Sequence, residues 1–593
     1  MPEELFQELD PEVQMLNNNE QDGYNYRLRR HEDWLENYTL SRDKVIVNRI
    51  TQRQSVNLPL MKTTFKTLIK DVDDMPVMYF KNLDNDKQAE VFKNEYWKYT
   101  GVENKFEIQD IIDKRQMFHF GRTYDQWQII DGKVVMSIVD PMDILISRYN
   151  DPTNIHASRF LIHLHIFKPL SQLENNPGMY DPEKVSKLKK FYATEMGLVK
   201  AEDNLSKLIE KNKKMEEMGV QDVQSPVLGE TYVELALHFV MRDVEEWEGQ
   251  TYKNQIFLYV VADKQEILRK VPLEKVIGET TDHFWQNHYP YNSWADDVER
   301  QDWYSDGVAD IIRTPNKIVN AWFSQLVENR TLKNLNMNIF NSKIEGFSPQ
   351  TWTPQAWGMY GIPLEAGQKL TDVFQQLPVA DLTESLDEMT FLITMIEKAS
   401  GATATQQGAQ TERKITLGEV QLALGEAKER IKGMSKFYTQ VWKERGLMFT
   451  KLIEAAPDKL DAVEIHKKGR NTDKIYTREI EPKDWMTKSG YYCEIWDQDE
   501  KNETDMQNLE KISAVSQMIP GNPKLEEIKQ RKALEFAGLK PEEVTDVLEV
   551  ERMKREAMMS MGGIDPVTGQ PLAPTMPMAQ APVASVAQGA PVI

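Results

Sequence analysis

The most constraining feature of this sequence is a long stretch of heptad-like apolar spacing in its C-terminal half. Apolar side chains recur at intervals of three and four residues at Val420, Leu424, Ala427, Ile431, Met434, Tyr438 and Val441. Such spacing places them on one face of a helix. The pattern predicts a helix that ends near Ala455, before Pro457, and is about 39 residues and about 58 Å long.

Two further helical patterns and a short insert come before this long helix. Ser305-Asp306 can cap a helix start, and Pro315 can restart the helix, which then runs over 315–334. The segment 337–380 contains four prolines and four glycines, so it reads as a compact insert of loops and strands. Helical spacing returns at Asp381, and 400–410 is a polar loop.

This order of elements predicts a helix pair that needs partners. Two helices that flank a small insert lie side by side if the insert returns the chain to its starting point. A single antiparallel pair with an apolar stripe cannot bury both sides of its surface. Neighbouring copies of the chain could supply the missing surface, and a closed ring would satisfy every interface by symmetry.

The N-terminal half predicts a mixed body, so the fold class is α+β, mainly helical. The first 75 residues or so read as helical, with a second helix near 84–99. Strands are expected at 127–130 and 134–139, joined by an Asp131-Gly132 hairpin turn. Further strands are expected at 160–166, 232–240, 255–261 and 491–496, and a charged helix pair at 183–218. Charged helices are also expected between 500 and 560.

Composition narrows the class of protein. The chain has 593 residues, and 72 Lys and Arg against 93 Asp and Glu give a net charge of −21. This charge argues against holding nucleic acid by bulk attraction. A single cysteine, Cys493, excludes an internal disulfide framework. The start lacks the pattern of a signal peptide, and no apolar run reaches the ~20 residues that span a bilayer. We expect a large, soluble protein of a reducing compartment.

Motifs of catalysis are not found, so the sequence predicts no enzyme and no cofactor. There is no Walker loop, no nucleophile elbow and no zinc helix. His163 and His165 could share a metal on one strand face, or simply form a half-exposed face. Asp140 and Asp143 suggest a divalent ion, or a turn after a strand. Cys493 reads as a buried structural thiol rather than a nucleophile.

At this point the sequence resembles a known family. Residues 305–310 (SDGVAD), 313–317 (RTPNK) and 320–322 (NAW) resemble the first stem helix of tailed-bacteriophage portal proteins, the head-to-tail connectors of Caudoviricetes. Residues 400–422 resemble the passage from their tunnel loop into the long wing helix. Residues 121–123 and 139–143 resemble pieces of their N-terminal wing. The order of elements matches over roughly 20–560.

The resemblance implies a ring, usually a dodecamer, with a central tunnel at one capsid vertex of the virion. It assigns 1–303 and about 417–490 to the wing, 304–336 and 381–400 to the stem, 337–380 to the clip, 401–416 to the tunnel loop and 491–560 to the crown. Residues 561–593 read as a disordered tail, by composition. The implied partners are double-stranded DNA, the terminase motor, the major capsid protein and scaffold, and neck or tail adaptor proteins. No membrane or metal is implied, and assembly takes place in the host cytoplasm.

Candidate site residues follow from this mapping. A conduit must let DNA slide, so an acidic wall with a few guiding cations suits it. The candidates for contact with DNA are Lys317, Arg330 and Lys333 on the first stem helix and Gln406, Gln407, Gln410, Arg413 and Lys414 in the polar loop. The cations could instead form ordinary salt bridges between helices. Trp352 and Trp357 are candidate anchors for partners of the clip, or a small local core.

Two other functions remain open on the sequence. One is another ring-forming virion component, such as a neck or tail adaptor, although the expected sequence would be shorter and lack the helix–insert–helix order. The other, more distant, is a metal-dependent nuclease.

Overall fold

The structure is a computed structural model. It describes residues 10–40, 44–47, 54–72, 75–84, 86–148, 151–218, 227, 229–295, 302–334, 338–340, 367, 369, 374–376, 383–400, 417–468, 475–486, 490–496 and 529–530. The chain divides into two compact units, residues 1–495 and 496–593. Of the second unit, Trp496 and 529–530 are described, so nearly all of the predicted crown and the predicted tail lie outside the described residues.

Helices and strands alternate irregularly along the described chain, as expected for an α+β fold. The helices are α1 (Pro11–Leu40), α2 (Leu60–Asp71), α3 (Lys87–Glu103), α4 (Phe106–Phe120), α5 (Leu170–Glu174), α6 (Pro182–Tyr192), α7 (Glu195–Met218), α8 (Leu273–Ile277), α9 (Val308–Asn334), α10 (Thr383–Ser400) and α11 (Leu417–Ala455). The strands are β1 (Lys44–Val47), β2 (Gln54–Asn57), β3 (Val77–Asn82), β4 (Arg122–Ile130), β5 (Lys133–Val139), β6 (Ile144–Ile146), β7 (Phe160–Pro169), β8 (Tyr232–Trp247), β9 (Gln250–Ala262), β10 (Glu266–Pro272), β11 (Tyr291–Ala295), β12 (Asn338–Phe340), β13 (Phe374–Gln376), β14 (Val463–Lys468), β15 (Ile475–Ile480) and β16 (Tyr491–Trp496).

A five-stranded antiparallel sheet organises the N-terminal half. Its order is β10-β9-β8-β7-β6, and apolar side chains on both faces are buried. The start of α1 covers one face, where Val13 and Leu16 pack against Phe160 and Tyr259. On the other face, side chains such as Val233 and Phe239 join a cluster that includes α6. A double-sided apolar sheet of this kind must be sandwiched, which fixes α1 against the body.

A second core joins the three-stranded sheet β11-β4-β5 to the helices of the C-terminal half. Trp127 of β4, Trp97 of α3 and Trp442 of α11 belong to one apolar cluster, which also contains Val319 of α9 and Ile396 of α10. The core therefore links elements from both ends of the unit, and the long helix is part of it.

Several sequence predictions are confirmed. The hairpin β4–β5 turns at Asp131 and Gly132, whose φ angles of 47° and 74° are the left-handed values that such a turn requires. The predicted 39-residue helix is α11. The helix pair expected within 183–218 is α6 and α7, and the strands expected near 232–240, 255–261 and 491–496 are β8, β9 and β16.

Other predictions are wrong in instructive ways. The first 75 residues are not helical throughout, because β1 and β2 form a hairpin between α1 and α2. Pro315 does not restart a helix, since α9 begins at Val308 and continues through this proline. Ser305 does not cap α9: its hydroxyl donates to the carbonyl oxygen of Gly121 at 2.7 Å. Helix α4 and the hairpin β14–β15 were not predicted.

The two histidines of β7 have different hydrogen-bond partners. A bulge lies between His163 and Ile166, and His165 has a φ of 53°. His163 is buried and bonds the Tyr291 hydroxyl at 2.9 Å, whereas His165 Nδ1 lies 2.8 Å from Asp143 Oδ1. Lys211 Nζ lies 2.6 Å from the other oxygen of Asp143. Burial would raise the pKa of Asp143, but Lys211 and His165 hold it well below its usual range.

His238, on β8, is expected to make the five-stranded sheet sensitive to acid. Its side chain is fully buried, and neither ring nitrogen has a hydrogen-bond partner among the described residues. Burial lowers its pKa to about 3. Because the unfolded chain takes up this proton near pH 6.5, the folded state loses stability as pH falls from about 6.5 towards 3.

Between pH 7.5 and pH 5, we predict that the unfolding free energy of the wild type falls by about 2 kcal/mol more than that of His238→Leu. Denaturant unfolding of both proteins at the two pH values measures this difference. The pH 7.5 comparison is the internal control, because the imidazole is neutral there in both states. An identical loss in the variant and the wild type contradicts the prediction.

Candidate functional site

The candidate site is the helix pair α9–α10 together with the long helix α11. Strands β12 and β13 pair antiparallel at the base of the insert, with Asn338 opposite Gln376 and Phe340 opposite Phe374. The insert thus returns the chain, and α10 packs back along α9. This is the side-by-side arrangement that the sequence predicted for two helices around a short insert.

The helix pair leaves apolar side chains in contact with water. Its inner stripe is buried, as Val319, Met389 and Ile396 show. Outward-facing apolar side chains on the same two helices are from 38 to 63 % exposed: Ile311, Ile318, Leu386, Phe391 and Met395. Apolar side chains exposed on a helical hairpin are available for contact with another protein.

The root of α9 is fixed where two of the motifs quoted above meet. Gly121 follows α4, and a Cβ built on it would lie 2.3 Å from the backbone oxygen of Ser305. The φ of Gly121 is 76°. Next to it, Arg122 Nε donates to the Trp303 carbonyl oxygen at 2.8 Å. Residues 121–122 and 303–307 therefore form one close backbone junction, which only glycine at position 121 permits.

Helix α1 and strand β2 hold the next turns of α9. The guanidinium of Arg313 lies 2.7 Å from Asp33 Oδ1, and Arg30 pairs with Asp306. Asn320 Oδ1 accepts the backbone N–H of Leu58 at 2.9 Å. These contacts use charged and polar side chains of the motif residues 305–322, so those residues join α9 to the body.

The long helix α11 is fixed by a buried arginine. Arg445 Nη2 lies 2.7 Å from Asp113 Oδ2 of α4 and 3.0 Å from Asp125 Oδ1 of β4, and all three side chains are about 0 to 1 % exposed. Although burial lowers the pKa of Arg445, Asp113 and Asp125 raise it above its ordinary value. The arginine therefore stays charged.

Two tryptophans complete this buried cluster. Trp294 Nε1 donates to Asp113 Oδ2 at 2.9 Å, and Trp127 Nε1 donates to Asp125 Oδ2 at 2.6 Å. Each carboxylate thus receives hydrogen bonds from more than its arginine. We call Arg445, Asp113 and Asp125 the arginine clamp, since it joins the C-terminal part of α11 to α4 and to the three-stranded sheet β11-β4-β5.

The predicted cations on α9 have different surroundings. Lys317 is about half-exposed and pairs with Glu36 of α1, the ordinary salt bridge that the sequence left open. Arg330 is exposed near the end of α9, and Lys333 lies in its last turn. The remaining predicted site residues lie outside the described part of the chain: Gln406, Gln407, Gln410, Arg413, Lys414, Trp352 and Trp357.

The arginine clamp was missed by sequence reasoning, although a signal for it exists. Arg445 continues the apolar stripe of α11, four residues after Val441 and three before Met448. A charge at a core position of a helix indicates a buried partner of opposite charge. The partners were not found because α4, which carries Asp113, was not predicted.

No protein-family model matches this chain, and no curated protein matches it. Among the described residues, no group of three or more histidine, cysteine or acidic side chains is arranged to hold a metal ion. None of the described helices has the length and apolar character to cross a membrane.

The arginine clamp predicts a large cost for its removal. Arg445→Met leaves two carboxylates buried without their cation, so we expect the free energy of unfolding to fall by about 3–5 kcal/mol. Denaturant unfolding followed by tryptophan fluorescence measures it. The matched control is Lys98→Met, which breaks the ion pair of a 70 % exposed lysine and costs about 1 kcal/mol or less. Equal losses in the two variants contradict the prediction.

The junction at the root of α9 gives a second prediction. Gly121→Ala combines an unfavourable φ with a clash against Ser305, so we expect a loss of about 2–4 kcal/mol in unfolding free energy. Gly249→Ala is the matched control, because Gly249 has the same φ of 76° but no atom within 4 Å of its built Cβ. It loses about 1 kcal/mol. If both variants unfold at the same denaturant concentration, the close junction is not a constraint.

Proposed function

We propose that this chain is the portal subunit of a tailed bacteriophage, a ring-forming structural protein and not an enzyme. The ring would sit at one capsid vertex of the virion, and double-stranded DNA would pass through it during packaging and ejection. The observation that carries the proposal is the set of exposed apolar side chains on the α9–α10 hairpin, which neighbouring copies would cover.

The order of elements supports the same proposal. The hairpin α9–α10 is followed, after the polar sequence 401–416, by the 39-residue α11, and the arginine clamp ties α11 to the mixed N-terminal body. An extended hairpin rooted in a rigid body is a suitable unit for a ring, because each copy can present one side of the hairpin to each neighbour. A dodecamer is the proposed assembly.

Passage of DNA is proposed to rest on weak rather than tight contacts. With a net charge of −21 per copy, the ring repels the DNA phosphates and lets the polymer slide. Gln406, Gln407, Gln410, Arg413 and Lys414 would touch DNA from the loop between α10 and α11. Arg330 and Lys333 at the end of α9 are further candidates. Lys317 is a weaker one, since Glu36 already neutralises it.

Docking of other proteins is proposed for the insert. Its base is the strand pair β12–β13 at the far end of the helix pair. Trp352 and Trp357 would anchor the terminase during packaging and neck or tail adaptors afterwards. The wing would meet the major capsid protein and scaffold.

Negative-stain microscopy of the purified full-length chain tests the assembly. Rings with an axial hole support the proposal. Uniform monomers under assembly conditions overturn it, whatever the copy number that isolated rings adopt.

Removal of the loop cations tests the conduit. We expect Arg413→Ala/Lys414→Ala to form normal rings and to lower the amount of nuclease-protected DNA per capsid, because the guiding charges are lost while the assembly surface is unchanged. The matched control is Lys187→Ala/Lys190→Ala, which removes two exposed cations from α6. Packaging at the wild-type level in the loop variant contradicts the assigned role.

A further inference from the structure

The hairpin β8–β9 extends well beyond the five-stranded sheet. The last partner of β8 in β7 is Phe160, opposite Val240, and the Met241 N–H donates to the Arg159 carbonyl at 2.9 Å. The pairing of β9 with β10 ends at Phe257, opposite Pro272. Strands β8 and β9 nevertheless stay paired up to Trp247 and Gln250. We call the projecting part, residues 242–255, the arm.

Both edges of the arm are open within the described part of the chain, since no described strand pairs with β8 beyond Met241 or with β9 before Phe257 on the outer sides. The exposed residues lie on both strands: Asp243, Val244, Glu246, Thr251, Lys253 and Asn254. Val244 is 61 % exposed. An unpaired strand edge with an exposed apolar side chain is a template for another strand.

The two strands of the arm differ in charge. Besides Arg242, which pairs with Glu12 and Glu245, the β8 strand and the turn carry Asp243, Glu245, Glu246 and Glu248, while β9 carries Lys253 among uncharged residues from Gln250 to Gln255. Glu245 is held within the chain by Lys270 at 2.6 Å. Glu246 and Lys253 are exposed and form no ion pair with another described residue. The acidic edge of one copy therefore complements the basic edge of another.

We propose that the arm pairs edge to edge with the arms of neighbouring copies, a step that rests on the proposed ring. Rotation about a ring axis brings the β9 edge of one copy beside the β8 edge of the next. When the arms lie along the axis, these two strands run in opposite directions, as they do within one hairpin. Every strand pair around the ring is then antiparallel, and no edge remains open.

The cleft beside β8 leaves room for such a strand. It has a volume of about 650 Å³, and its walls include Val240, Val244 and Met15. Arg148 and Arg159 also line it. Arg148 lies 3.5 Å from Asp22, and Arg159 lies 3.4 Å from Asp243. Exposed pairs of this kind contribute little, so both guanidinium groups can turn to acceptors of an incoming strand.

Charge reversal tests the pairing. Glu246→Lys and Lys253→Glu each place like charges at every interface of the arms, so we expect the association constant per interface to fall about fivefold or more at low salt. An equimolar mixture of the two single variants restores assembly, because each interface then joins complementary edges. The double variant restores it for the same reason. Sedimentation velocity over a concentration series measures all four samples.

Failure of the arm and failure of the ring are distinguishable. If the wild type forms rings, but the single variants assemble equally well and mixing changes nothing, the arm pairing is wrong and the portal proposal is untouched. If the wild type forms no rings, the portal proposal fails. In that case, Glu246→Cys mixed with Lys253→Cys still tests the arm with a short bis-maleimide.

The cross-link has one supporting outcome. A covalent dimer that needs both single-cysteine variants supports heterologous pairing of the two edges. A dimer that forms in either variant alone overturns it. So does a mixture that gives no more dimer than the wild type, whose Cys493 sets the background.

Discussion

The arginine clamp is the interaction on which the arrangement of the unit depends. Removing three charged groups from water is costly. Their mutual attraction and hydrogen bonds offset part of this cost, although Arg445 Nη1 has no hydrogen-bond partner among the described residues. Here Arg445 reaches Asp113 and Asp125, and tryptophan N–H groups bond both carboxylates. A shift of α11 by one residue would break these contacts together. The clamp therefore fixes the position of the long helix on β4 and α4.

The clamp and the glycine junction act on the same body from two sides. Gly121 ends α4, the helix that carries Asp113, and it contacts Ser305 just before α9 begins. Helix α4 thus touches the roots of both α9 and α11. Because the hairpin α9–α10 and the long helix are attached to one rigid support, a force on either would be transmitted to the five-stranded sheet through packed elements.

Local patterns predicted those elements whose stability is local. The Asp131-Gly132 turn has its own backbone requirement, and the stripe of α11 has its own periodicity, so both were found correctly. Ser305 was assigned as a cap on equally good local grounds. Its hydroxyl instead donates a hydrogen bond to the carbonyl oxygen of Gly121, 184 positions away. His165, at the bulge in β7, likewise bonds Asp143, which is 22 positions away in sequence.

The sequence predicted the order of helices and insert in the candidate site, but not the contacts between their side chains and distant elements. The helix–insert–helix arrangement follows from the apolar stripes and the Pro- and Gly-rich insert. The pairing of Lys317 with Glu36, or of Arg445 with two aspartates, requires knowing which distant elements meet. The arm was also missed: the strands were predicted near 232–240 and 255–261, but the polar residues between them gave no apolar alternation to extend them.

The net charge of −21 sets a condition on any assembly of this chain. Copies that carry a surplus of the same charge repel each other, and salt limits this repulsion to about 8 Å at physiological ionic strength. Association must therefore come from short-range contacts that outweigh it, such as the apolar side chains Phe391 and Met395 on α10. Salt would strengthen such contacts by screening the repulsion, and it would weaken the charge complementarity of the arms. The two surfaces thus respond to ionic strength in opposite directions. In the proposed ring, the apolar hairpin would hold the copies together while the arms would select their neighbours.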